Sequence, residues 1–228
     1  MSPIVDVIIP AFNEENSVGK VIKDIPAIVR DIIVVNNNSN DATASNATTA
    51  GATVLDEKFQ GYGAACLKGM DYVAAKEYKP DIIVFLDADY SDHPEELTLL
   101  IQPIINENYD MVIGSRALGK RDKGSMTIQQ RVGNKLATAL LKWFYKTKYT
   151  DLGPFRAIKY DSLLQLKMKD RTYGWTVEMQ LKAAKQKMKI TEVPVTYRKR
   201  VGFSKVSGTV KGTIGAGYKI ITTIFKYL

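Results

Sequence analysis

Residues 82–89, Ile-Ile-Val-Phe-Leu-Asp-Ala-Asp, constrain this chain more than any other stretch. Five consecutive apolar residues read as a strand buried on both faces, the pattern of a parallel sheet with helices above and below. Asp87 and Asp89 follow at once, where the strand leaves the core. Ligands of open α/β sheets collect outside the carboxyl ends of the strands, so chemistry is expected there. Two hard oxygen donors at i and i+2 suit Mg²⁺ or Mn²⁺, which bind through one or two carboxylates plus substrate phosphates. The competing reading is helix capping, since Pro94 stands near a helix start. Asp92 alone can supply that cap, which leaves Asp87 and Asp89 unaccounted for.

The chain leading to this stretch alternates strands and helices. Val5–Pro10 predicts a strand, and Val18, Val21, Ile22 and Ile25 then fall on one helical face. Asp31–Val35 predicts a second buried strand with a polar tip, Asn36–Asp41, where Asp41 caps a helix ending at Gly51. Ala52–Leu55 is a short strand. Gly61-Tyr62-Gly63 then opens a helix to about Glu77, its glycines permitting close backbone approach. This order predicts a doubly wound α/β unit whose strand tips, Phe12–Glu14, Asn36–Asp41 and Asp87–Asp89, line one crevice. Beyond it come a helix with Leu97, Leu100, Ile101, Ile104 and Ile105 on its buried face, and a strand 110–114 ending in Ser115-Arg116. A basic loop, 118–127, has the composition of a lid. A helix over 127–147, a turn at 150–156 entering a strand, and a helix over 173–185 follow. Residues 1–207 are expected to form one domain, extended by an amphipathic helix over 208–228 with Tyr218, Ile221, Ile224, Phe225 and Leu228 on one face.

The formal net charge of +8 is unevenly placed: from Met179 onward there are eleven Lys/Arg and one acid, Glu192. Such an end wants an anionic partner, a phosphate-bearing substrate or an anionic membrane surface. No nucleic-acid-binding motif or interleaved aromatic platform accompanies it, so nucleic acid is not expected. The single cysteine, Cys66, excludes an intrachain disulfide and suits a reducing compartment. With no basic leader before the first strand and no apolar run of the ~18 residues a span needs, a cytoplasmic protein is expected; its 208–228 helix either rests on the cytoplasmic membrane face, packs on the domain or pairs with another subunit.

Ile9-Pro10-Ala11-Phe12-Asn13-Glu14-Glu15, the Asn36–Asp41 loop, Asp87-Ala88-Asp89, Gly114-Ser115-Arg116 and Gly202-Phe203-Ser204-Lys205 come in the order seen in family 2 glycosyltransferases. Within that family the chain most resembles the branch of dolichyl- and polyprenyl-phosphate mannose and glucose synthases. Asp151–Arg156 and Tyr173–Met179 add to that likeness. The resemblance implies the GT-A fold, a mostly parallel doubly wound sheet flanked by helices. It also implies inverting transfer of a hexosyl group from a nucleoside-diphosphate sugar to a polyprenyl phosphate. It places donor contacts at Pro10, Phe12, Asn13, Glu14, Asn36, Asn37, Asp87, Ala88, Arg200 and Lys205, with the metal on Asp87 and Asp89. Arg116 and Arg131 would hold the acceptor phosphate, while Asp151 or Glu178 would serve as base were the acceptor a hydroxyl. The chain departs from the family's usual Asp-Asp-Gly-Ser loop at Asn36-Asn37-Asn38-Ser39, and carries Ser91 where a glutamine is frequent. An amide both donates and accepts, so Asn36 or Asn37 at the base position favours uracil, hence a UDP-sugar. Two other readings stay open: a polysaccharide or protein hydroxyl acceptor, and a non-catalytic nucleotide-sugar or membrane-binding module.

Overall fold

The computed structural model describes residues 3–204 and 210–227. Strands β1 (Val5–Ala11), β2 (Val29–Asn36), β3 (Thr53–Asp56), β4 (Ile82–Phe85), β5 (Met111–Ser115), β6 (Arg156–Lys159) and β7 (Ile190–Pro194) form one sheet in the order β3-β2-β1-β4-β6-β5-β7. Only β6 runs antiparallel to its neighbours β4 and β5; the other pairings are parallel. The sheet is therefore mixed, and β4 sits at its centre with the Asp87–Asp89 tip beyond it.

The helices are α1 (Val18–Asp24), α2 (Thr43–Thr49), α3 (Tyr62–Ala75), α4 (Leu97–Glu107), α5 (Ile128–Tyr145), α6 (Tyr160–Leu166), α7 (Trp175–Lys185) and α8 (Val210–Lys226). Strand periodicity divides the core. Val5, Val7 and Ile9 of β1 with Ile82, Val84 and Leu86 face α1, α2 and α4, whereas Ile8, Ile83 and Phe85 face α3, α6 and α7. Both faces of β4 are thus buried, as its unbroken apolar run requires, at ~1.5–3 kcal/mol for each fully buried large side chain. A third cluster joins Ala137 and Leu141 of α5, Val177 and Leu181 of α7, and Ile224 of α8.

Several expectations are corrected. Ile105 is exposed, because it lies just past the stripe formed by Leu97, Leu100, Ile101 and Ile104. The chain after Pro94 makes one 3₁₀ turn before α4 begins. Helix α6, unforeseen, starts directly after β6 with no turn between them. In α8 the expected single face is split: Ile224 is buried, Tyr218, Ile221 and Phe225 are exposed, and Leu228 lies outside the described residues. Tyr145 Oη donates to the Ile224 carbonyl and Tyr227 Oη to Glu178 Oε1, fastening α8 to α5 and α7.

Candidate active site

The strand tips of β1 and β4, the start of α3 and the inner faces of α5 and α8 enclose a cleft of about 690 Å³. Pro10, Phe12, Glu14, Asn37, Asp87, Ala88, Asp89, Arg116 and Arg200 all line it. Asn13, Asn36 and Arg131 do not line it, and Lys205 lies outside the described residues.

The tip of β4 is held from below and from the side. Ser91 N–H and Oγ both donate to Asp89 Oδ1, so the serine orients the carboxylate. Arg200 reaches Asp89 Oδ2 through Nη1 at 3.1 Å and Glu14 Oε1 through Nη2 at 2.9 Å, bridging the ends of β1 and β4. The Arg200 segment is pinned by its backbone: Tyr197 N donates to Lys120 O, Arg198 N to Ser91 O and Val201 N to Asp89 O. The guanidinium is therefore set in place before any ligand arrives. Asp87 Oδ1 is buried with no hydrogen-bond partner among the described residues. Burial, then the Asp89 charge, raises its pKa to about 7. A buried carboxylate oxygen without a partner is costly and calls for a cation. Among the described residues, no cluster of three or more His, Cys, Asp or Glu side chains converges to hold a metal. Asp87 and Asp89 are thus an open donor set, fit for a Mg²⁺ or Mn²⁺ whose remaining positions are filled by water or phosphate oxygens.

The asparagine loop is spent on structure. Asn37 donates both amide protons, to the carbonyls of Glu57 and Phe59, and accepts from Gly61 N. Asn36 donates to Asp56 Oδ1 and accepts from Ser39 N, and Asn13 Oδ1 accepts from Asn40 N. The Asn37 amide thus shapes the cleft wall at Gly61. The glycines there serve a similar end: a Cβ on Gly63 would lie 2.0 Å from the Asp170 carbonyl oxygen, and one on Gly61 2.2 Å from that of Arg171. Ala64 N donates to Arg171 O, so the chain's own 170–172 loop occupies this helix start.

Arg116 and Asp151 form a closed pair. Nε and the backbone N of Arg116 each donate to Oδ2 at 2.8 Å and Nη2 to Oδ1 at 2.7 Å. Burial pushes the Asp151 carboxyl up, but the Arg116 charge and hydrogen bonds outweigh it and hold the pKa below its ordinary value. Glu178 is buried, paired with Lys182 at 2.7 Å, and accepts from the backbone N–H groups of Lys169 and Asp170. It is a structural anchor and does not line the cleft. Arg131 faces a side pocket of about 220 Å³ together with Arg121, Lys135 and Asn134, and this pocket shares Met126 and Asn134 with the main cleft. Sequence reasoning missed Tyr62, Thr172, Tyr173, Thr176 and Tyr197, all in the cleft wall, and the buried Arg156. Arg156 donates to the carbonyls of Leu152, Gly153 and Thr176 and so ties the Asp151 turn to the start of α7.

Comparison with known proteins accords with this geometry. A dolichyl-phosphate hexose transferase of Haloferax volcanii is 32% identical, covering 88% of this chain and 85% of the relative. A UDP-N-acetylglucosamine–dolichyl-phosphate N-acetylglucosaminyltransferase of Methanococcus voltae is 28% identical over 84% of both chains. The glucosyl-3-phosphoglycerate synthase of Mycobacterium tuberculosis, solved with Mn²⁺, uridine diphosphate and phosphoglyceric acid, shares the fold. Its TM-score is 0.78 at 20% identity, covering 99% of this chain and 78% of that one. Residues 6–166, from the first strand through the Asp-x-Asp tip to α6, match the family Glycosyl transferase family 2. With an Asp-x-Asp pair at the end of β4 in a GT-A sheet, this chain belongs to that family.

Proposed function

We propose that the chain is an inverting hexosyltransferase that moves a hexosyl group from a UDP-sugar to a polyprenyl phosphate. Asp87 and Asp89 would hold the divalent cation, and the partnerless Asp87 oxygen is the observation that supports it. When bound, that cation neutralises negative charge growing on the diphosphate leaving group. Arg200, fixed between Glu14 and Asp89, adds preorganised positive charge at the same place. In one displacement the bond from the sugar's anomeric carbon to the diphosphate breaks, its electron pair leaving with UDP. The bond to the acceptor oxygen forms on the opposite face.

The lipid-phosphate acceptor is supported by what the carboxylates are doing. A hydroxyl acceptor needs a general base near its proton. Asp151 is locked to Arg116 with a depressed pKa, and Glu178 is engaged by Lys182 and Tyr227. A phosphate oxygen is already anionic and needs cations instead, which Arg131, Arg121 and Lys135 bring to the side pocket. Two relatives named for dolichyl phosphate support the same acceptor class, and one named for a UDP-sugar supports the uridine donor. Asn36 and Asn37, with their amides engaged, add little to that base choice. Calorimetric titration with UDP and with GDP, each with and without Mn²⁺, tests the donor half. Tighter UDP binding that needs the cation is expected. Tighter GDP binding, or binding indifferent to metal, would overturn it.

A further inference from the structure

Helices α5 and α8 leave apolar side chains uncovered on their outer faces. On α5, Ile128, Val132, Leu136 and Trp143 are exposed, Trp143 to 78%. At 3.6 residues per turn these four fall in one stripe. A base precedes three of them, Arg131 before Val132, Lys135 before Leu136 and Lys142 before Trp143, so a basic row runs beside the apolar one. On α8, Ile214, Tyr218, Ile221 and Phe225 make a second exposed stripe, Phe225 to 51%. The stripes meet: Trp143 stacks on Phe144 with ring centroids 5.4 Å apart, and Phe144 meets Phe225 edge-on at 5.6 Å. The other sides of the same helices are committed, Leu141 and Ile224 to the core and Gln130, Asn134 and Ile220 to the cleft wall.

We propose that this joint face of α5 and α8 docks on an anionic lipid bilayer, lying in its interface. Between Ala117 and Lys148 there are eight lysines and arginines and one acid, Asp122, and α8 carries three lysines and no acid. Apolar and aromatic side chains flanked by bases are what an interfacial helix needs, because the apolar stripe enters the headgroup boundary while the cations meet anionic lipid. A second copy of this chain would instead press one basic surface on another, which like-charge repulsion opposes. No described helix is long and apolar enough to cross a membrane. The purpose of docking rests on the polyprenyl-phosphate reading, since it sets the helices that wall the cleft against the phase holding such an acceptor; the binding itself does not.

Flotation of the full chain with vesicles tests this, using phosphatidylcholine alone and equal parts phosphatidylcholine and phosphatidylglycerol. The protein is expected to float with the anionic vesicles only, to be released by salt, and to show a blue shift of tryptophan emission. The double variant W143E/F225E, altered at two exposed positions outside the cleft, should lose roughly tenfold or more of its partitioning. Its circular dichroism and its affinity for UDP with Mn²⁺ should stay unchanged. No flotation of the wild type, equal flotation of the variant, or a wild-type dimer in ultracentrifugation that the variant abolishes would each overturn the proposal. Flotation without transfer to polyprenyl phosphate would count against the proposed acceptor and leave the docking standing. Transfer to detergent-dispersed acceptor without flotation would do the reverse.

Discussion

Asp89 shows how much one residue at a strand tip is asked to do. It accepts from Ser91 and pairs with Arg200, and in the proposed function it would present the second carboxylate to the cation. Because these contacts serve the cleft rather than the core, Asp89→Ala should leave circular dichroism intact while lowering transfer roughly a hundredfold or more, the cost of one preorganised electrostatic contact. Steady-state transfer rates within tenfold of wild type would speak against its role. Asp151 is the contrasting case, a residue whose partner is protein. Its carboxyl pKa is held below 3.8 in the fold, so the Arg116 pair stabilises the protein above the ordinary carboxylate value. That stability is lost as pH falls through and below it. Asp151→Asn should therefore cost about 3 kcal/mol at neutral pH, leaving a part-buried guanidinium without its carboxylate. The gap to wild type should narrow toward acid in denaturant titrations run at several pH values. A gap that did not change with pH would mean the ion pair is not its source.

At the scale of elements, the glycines at the start of α3 are fixed by neighbours far along the chain. Alanine favours a helix over glycine by about 1 kcal/mol, yet a Cβ on Gly63 would meet the Asp170 carbonyl oxygen at 2.0 Å. The clash should win, with Gly63→Ala costing about 1–3 kcal/mol as overpacking does and lowering Tm by several degrees by calorimetry. An unchanged or raised Tm would show that the 170–172 loop yields freely. This contact also shows where reading along the chain stops. β1, β2 and β4 were legible because continuous apolar runs leave a buried strand few alternatives, and the position of Asp87 and Asp89 in the cleft was legible because they follow one. The engagement of Asn36 and Asn37 was not, since their partners at Asp56, Glu57 and Gly61 are set by how the next strand and loop fold back. Helix α6 escaped notice because seven residues following a strand without a turn carry too little periodicity. The outward direction of the α5 stripe was not legible either, since Leu136 and Trp143 are apolar whichever way they face.

The whole molecule is a mixed sheet whose tips converge on a cleft, walled on one side by two helices that are basic and apolar on their outer faces. Arg200 unites its parts, as a C-terminal segment pinned to the β4 tip brings a cation to carboxylates contributed by β1 and β4 tips more than a hundred residues earlier. In the proposed function this arrangement would transfer a sugar to a lipid phosphate at a cation held by Asp87 and Asp89. The most direct measurement incubates the full chain with radiolabelled UDP-sugars, polyprenyl phosphate and Mn²⁺, then extracts with organic solvent. Label should enter the organic phase from at least one UDP-sugar, disappear with excess chelator, and fall to background in Asp87→Ala. Label reaching the organic phase at full rate in chelator, or passing only to a hydroxyl acceptor in the aqueous phase, would rule out cation-dependent transfer to a lipid phosphate.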